Sequence, residues 1–149
     1  MNKGFVTGVI LFGLVAGAML GAQSRSTDPG AKVLAQGKEY FQQGRYTDAL
    51  SSFRESGLVP SAIQAESQFW QVKALMALQR FDEAQLGLEQ YLSRFPKDSN
   101  RIEALYLRGR LLYMSADMTG ASAAFTSFLE SYKTSSFAAN AYYWLGESL

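Results

Sequence analysis

The chain repeats itself. Ala49, Ala84 and Ala121 stand 35 and 37 residues apart, and each lies four residues before a bulky apolar one, Phe53, Leu88 or Phe125. Three residues before each Ala is a large apolar side chain: Tyr46, Phe81 or Met118. Nine before lie Tyr40, Leu75 and Leu112, and twelve before lie Gly37, Val72 and Gly109, with Gly146 next in the series. Five positions keep register through three copies, which confines the fold to one built by stacking a short unit.

Within each copy, apolar residues recur at helical spacing over two segments, so each copy reads as a helical hairpin. The small residue of the first helix and the Ala of the second let two backbones approach closely. Large rings then fill the space between neighbouring hairpins. Gly44-Arg45 separates the helices of the first copy. Val59-Pro60 and Phe95-Pro96 end the first two copies, because proline disfavours helix in the residue before it. Ser61, Asp98 and Ser135 stand where N-caps belong. The spacing predicts seven helices, over 31–43, 46–57, 61–78, 81–94, 98–115, 118–132 and 135–149. No segment alternates with period two, so no sheet is expected.

This pattern resembles the tetratricopeptide repeat. The matching residues are Gly37, Tyr40, Gly44, Tyr46, Ala49 and Phe53 in the first copy, and Leu75, Phe81, Ala84, Leu88 and Pro96 in the second. Gly109, Leu112, Ala121 and Phe125 carry it in the third, and Ala141 to Leu149 reads as the first helix of a fourth. Val72 departs from the small residue of the pattern, and no proline follows Tyr132. The resemblance implies an all-α fold, a right-handed α-solenoid of about three and a half helical hairpins, and a protein-binding role. A narrower resemblance rests on Tyr91-Leu92, Phe95-Pro96, Asp98-Ser99, Phe128-Leu129, Tyr132 and Tyr142-Tyr143-Trp144-Leu145-Gly146. These are similar to the C-terminal repeats of the periplasmic Tol–Pal-associated cell division coordinator. They are less similar to those of the barrel-assembly lipoprotein, which needs a Cys after its signal.

The first 22 residues carry one charge, Lys3, and an apolar run from Phe5 to Leu20 that only Thr7 interrupts. A short basic start, an apolar stretch and small residues at the end describe a secretory signal, with cleavage after Ala18 or Ala22. The competing reading is an uncleaved anchor over residues 5–22, with Gly13, Gly17 and Gly21 striping one helix face. Either way Lys3 stays in the cytoplasm and the remainder is exported to the periplasm or held at the inner membrane. Residues 23–30 read as a linker. The repeat domain then spans 31–149, in units of 31–60, 61–97, 98–134 and a partial 135–149.

Composition removes most chemistry. There is no His and no Cys, so a Ser-His-Asp triad, a Cys-His pair, a disulfide and an imidazole or thiolate metal site are excluded. Lys+Arg number 14 against 13 Asp+Glu, a balance that points to no nucleic-acid partner. Gly87 and Gly120 belong to no phosphate-binding motif. Asp82-Glu83 opens a helix, where negative charge complements the helix dipole. Trp70 and Trp144 read as packing rather than as a sugar platform. No catalytic residue, cofactor site or metal site is assigned, and the chain is read as no enzyme.

Repeat stacks bind along the face lined by the first helix of each hairpin. Equivalent positions there hold Leu34, Phe69, Tyr106 and Tyr143, and four residues on come Lys38, Lys73, Arg110 and Glu147. Residues four apart share a helix face, so three copies set an aromatic or apolar residue beside a base. Phe41, Met76 and Tyr113 continue the strip. Such a ladder suits a protein or extended peptide with apolar anchors and some carboxylate character. The alternative is that the bases are solvated and the rings are hairpin core.

The last helix carries Tyr142, Leu145 and Leu149 on one stripe with no second helix to cover it. Three readings of it stand side by side: a fragment of a longer array, a homodimer through that stripe, or a face folded back on the third copy. The functional readings are an envelope scaffold for protein partners, the repeat part of a longer envelope enzyme of the cell-wall hydrolase kind, and a membrane-anchored self-associating structural protein.

Overall fold

The computed structural model describes residues 28–59 and 62–149. Over them run seven α-helices: α1 (Pro29–Gln42), α2 (Tyr46–Leu58), α3 (Gln64–Ala77), α4 (Phe81–Arg94), α5 (Arg101–Met114), α6 (Met118–Ser131) and α7 (Ala138–Glu147). No strand occurs among the described residues. Each helix packs on the helices before and after it in the chain, and α1 also meets α3 as α5 meets α7. The described residues are thus an all-α stack of three hairpins, α1–α2, α3–α4 and α5–α6, followed by α7.

The repeat positions do the packing their sizes suggest. Ala49, Ala84 and Ala121 are fully buried, as are Phe53, Leu88 and Phe125 four residues on. In the first and third hairpins a phenyl ring occupies the space a side chain would need: a Cβ on Gly37 would stand 2.6 Å from Phe53, and one on Gly109 2.6 Å from Phe125. The second hairpin makes the opposite choice. Val72 fills that space itself, and the facing residue shrinks to Leu88, both fully buried. Val72 is therefore a volume exchange and not a defect in the repeat.

Three helices start later than expected. Asp98 and Ser135 do not cap α5 and α7 directly. The Asp98 carboxylate accepts the Asn100 N–H at 2.9 Å, and Ser135 Oγ accepts the Phe137 N–H at 3.3 Å. Each closes a separate turn before its helix, because a side chain that bonds two residues ahead makes an Asx- or Ser-type turn. Ser61 lies outside the described residues. So do residues 1–22 and most of the linker, and with them the signal and anchor readings. Pro29 and Gly30, expected in the linker, instead open α1: Asp28 Oδ1 accepts the Gly30 N–H at 2.9 Å, and proline is tolerated in the first turn. Among the described residues no helix is long and apolar enough to cross a membrane.

The hairpin turns share one geometry. Gly44, Gln79 and Ala116 have φ of 73°, 58° and 63°. In each, the following N–H reaches back five residues, as Arg45 to Tyr40, Arg80 to Leu75 and Asp117 to Leu112, all at 2.9 Å. This is the helix stop closed by a left-handed residue.

Candidate functional site

The first helices α1, α3 and α5 bring four of the sequence-predicted residues together on one flank. Phe69 and Tyr106 do not face it: they are 2% and 6% exposed. Phe69 packs on Tyr91 at 5.6 Å. Tyr106 stands among Phe125, Phe128 and Phe137, stacked on the last at 5.3 Å. Leu34, their counterpart in α1, is buried too. These three are hairpin core, since a first helix is flanked by its own partner and by the neighbouring hairpin and leaves only a narrow stripe open.

That stripe is formed by the residues further along. Phe41 of α1, Lys73, Met76 and Ala77 of α3, and Leu107, Arg110 and Met114 of α5 line one groove of about 190 Å³. Four of the predicted residues, Phe41, Lys73, Met76 and Arg110, therefore come together. Leu107, Met114 and Ala77 were not foreseen, although Leu107 shares the register of Trp70 and Trp144, 37 residues away on each side.

The bases are neither free nor simply solvated. Lys38 pairs with Glu66 of α3 and lies 5.5 Å from the Trp70 ring. Lys73 pairs with Glu103 of α5 at 2.9 Å and lies 4.4 Å over Trp70. Arg110 lies 4.4 Å over Trp144 of α7. Its Nε is shut off from solvent and has no acceptor among the described residues. Trp70 also packs edge-on against Phe41 at 5.4 Å, so it is a wall of the stack and not an exposed platform.

At the far end, Tyr113 packs on Trp144 at 5.0 Å, while Tyr142 and Tyr143 are 57% and 59% exposed. Leu145 is half-buried, packed on the last hairpin. A Cβ on Gly146, in the register of Gly37 and Gly109, would meet nothing within 4 Å.

A larger cleft, about 390 Å³, lies on the opposite face of α3 between α2 and α4. Three of its glutamines and its Arg54 are engaged internally. Gln64, Gln68 and Gln71 donate to the carbonyls of Gly57, Gly87 and Phe53 at 3.2, 3.3 and 3.0 Å. Arg54 pairs with Glu83 at 3.5 Å. Asp82 and Glu83 sit in the first turn of α4 as the dipole argument requires.

One titratable pair is perturbed. Burial, then the hydrogen bond to Asp98, pushes the Tyr91 phenol well above its ordinary value. Partial burial pushes Asp98 up, but hydrogen bonds from Tyr91 and Asn100 outweigh it and hold the carboxyl below its usual range. The pair ties the end of α4 to the turn before α5 and lies away from the groove. No group of three or more Asp or Glu that could hold a metal occurs among the described residues.

Residues 69–135, from inside α3 to the turn after α6, match the tetratricopeptide repeat family. The crystal structure of PcrH from Pseudomonas aeruginosa superposes with a TM-score of 0.69 over 85% of this chain and 98% of that one, at 19% identity. That likeness is one of fold. Comparison with curated protein sequences gives no match.

Proposed function

We propose that this chain is a non-catalytic scaffold that holds an extended polypeptide segment of a partner protein along the groove of α1, α3 and α5. The observation that carries this is the convergence of Phe41, Met76, Leu107 and Met114 from three successive first helices into one apolar channel edged by Lys73 and Arg110. Side chains spaced along an extended segment can engage such a channel in turn. The signal-like residues 1–22 support action in the cell envelope, in the periplasm or at the inner membrane. The Tyr-Tyr-Trp-Leu-Gly and Phe-Pro motifs, similar to those of the division coordinator's repeats, support a role of that kind in cell division.

Two experiments test this. Crosslinking from a photoreactive residue at Met114 should capture a partner whose crosslinked peptide maps to one extended stretch. A crosslink confined to the α2–α4 face, probed from Gln90, would sink the groove. Fractionation should place the chain in the envelope, and a cytoplasmic pool would remove that part. A second reading, self-association through α7, is supported by the exposure of Tyr142 and Tyr143. Light scattering that reads a monomer at every dilution would remove it.

A further inference from the structure

The bases of the inner face follow a rule that fails once. Lys38 pairs with Glu66, and Trp70 follows Glu66 by four residues. Lys73 pairs with Glu103, and Leu107 follows by four. Lys38 thus meets an acid and an apolar residue on one face of the next first helix, and Lys73 meets an acid there and shares the groove with Leu107. Arg110 meets the apolar member, Trp144, at 4.4 Å. Four residues before Trp144, and 37 after Glu103 as Glu103 is after Glu66, the chain has Asn140. The acid is missing at that step. No ion pair joins Arg110 to a carboxylate of the described residues. Its buried Nε lacks an acceptor.

We infer that Arg110 is the groove's carboxylate receptor, and that the held segment carries an Asp or Glu side chain close to its apolar anchors. This rests on reading the inner face as a polypeptide groove. Lys73 is already neutralised by Glu103, so Arg110 supplies the unopposed positive charge of the channel. A planar guanidinium backed by an indole ring is fixed in direction and suited to a carboxylate. Phe41 of α1 shares the groove with Arg110, and Tyr143 of α7 packs on the Trp144 ring that backs it, so apolar surface continues toward both neighbouring first helices. A segment that follows this surface runs past Arg110 both ways, and its carboxylate belongs to a side chain and not to a C-terminus.

The test uses the full chain and fluorescein-labelled, C-terminally amidated dodecapeptides of Gly and Ser. Two Leu residues flank one Glu, Gln or Lys, and a fourth peptide has Gln and a free C-terminus. Anisotropy should show the Glu peptide binding about tenfold tighter than the Gln peptide, and the Lys peptide weakest. Asn140→Glu, at an exposed position, restores the missing acid. It should bring the Glu and Gln peptides within twofold of each other while leaving the Gln peptide's affinity unchanged. Arg110→Gln should abolish the preference as well. Equal binding of the Glu and Gln peptides, a preference that survives both variants, or a gain confined to the free C-terminus overturns the inference. Ala77→Trp fills the channel and separates the two claims. If it abolishes Gln-peptide binding but no Glu preference exists, the groove stands and the role of Arg110 falls. If no peptide binds, or Ala77→Trp changes nothing, both fall.

Discussion

A left-handed residue closes each of the three hairpins, and only the first is a glycine. Gln79 and Ala116 hold φ near 60° with a Cβ in place. That conformation costs about 1–2 kcal/mol for a residue with a side chain. Gln79→Gly and Ala116→Gly should each stabilise the chain by about 0.5–1 kcal/mol, since the gain is offset in part by the freer unfolded backbone. Urea denaturation reads this, and a loss on either change would contradict it. Gly44→Ala should cost a similar amount. Tyr91 and Asp98 each make stability depend on pH. The Asp98 carboxyl is lowered in the folded chain, so its contribution is present above the unfolded value of about 3.9 and is lost as pH falls through the folded one. The Tyr91 phenol is raised, so its contribution is whole below about 10 and declines as pH rises further. Asp98→Asn should flatten the acid limb of stability against pH, and Tyr91→Phe the alkaline limb.

Between helices, the repeat tolerates two solutions to one volume problem. Gly against Phe appears in the first and third hairpins, and Val against Leu in the second. Gly109→Val alone drives a side chain into the Phe125 ring and should cost about 1–3 kcal/mol. Adding Phe125→Leu reproduces the second hairpin's pairing and should recover part of that loss, with a coupling of about 0.5–3 kcal/mol in a double-mutant cycle. Simple additivity would show that the two positions do not compete for space. The Lys38–Glu66 and Lys73–Glu103 pairs work between hairpins. They are only partly buried, so they orient one first helix on the next more than they stabilise it.

Along the whole stack, cohesion passes from neighbour to neighbour. One core runs through α1 to α5 and contains Ala104 and Leu111, and a second runs through α5 to α7 and contains Tyr106. α5 therefore joins the two with opposite faces. α7 has a helix neighbour on one side, and Ala138 and Ala141 are the residues it buries. Hydrogen exchange should accordingly be slowest in α3 to α5 and fastest in α7, because local opening follows the number of packed neighbours. Uniform protection through α7 would mean that another surface covers it in solution.

The hairpin unit and the seven helices of the described residues were legible in the chain itself. Each depends on spacing along one helix, and periodicity reports spacing directly. The seating of Phe53 against Gly37 and of Phe125 against Gly109 inside one hairpin, rather than between hairpins, was not legible. The inner face was only half legible. Phe69, Tyr106, Phe41 and Met76 all lie on apolar stripes of their helices. Which stripe is sealed and which stays open depends on where the neighbouring hairpins lean: Phe69 and Tyr106 turned out to be core, and Met76 lines the groove while only 8% exposed. Partnership across 28 or 30 residues, as in Lys38–Glu66 and Lys73–Glu103, is equally a product of packing. Glu66, Glu103 and Asn140 share a 37-residue register in plain view. Its meaning appears only once the folded stack sets each of the first two acids beside a base and leaves Arg110 without one.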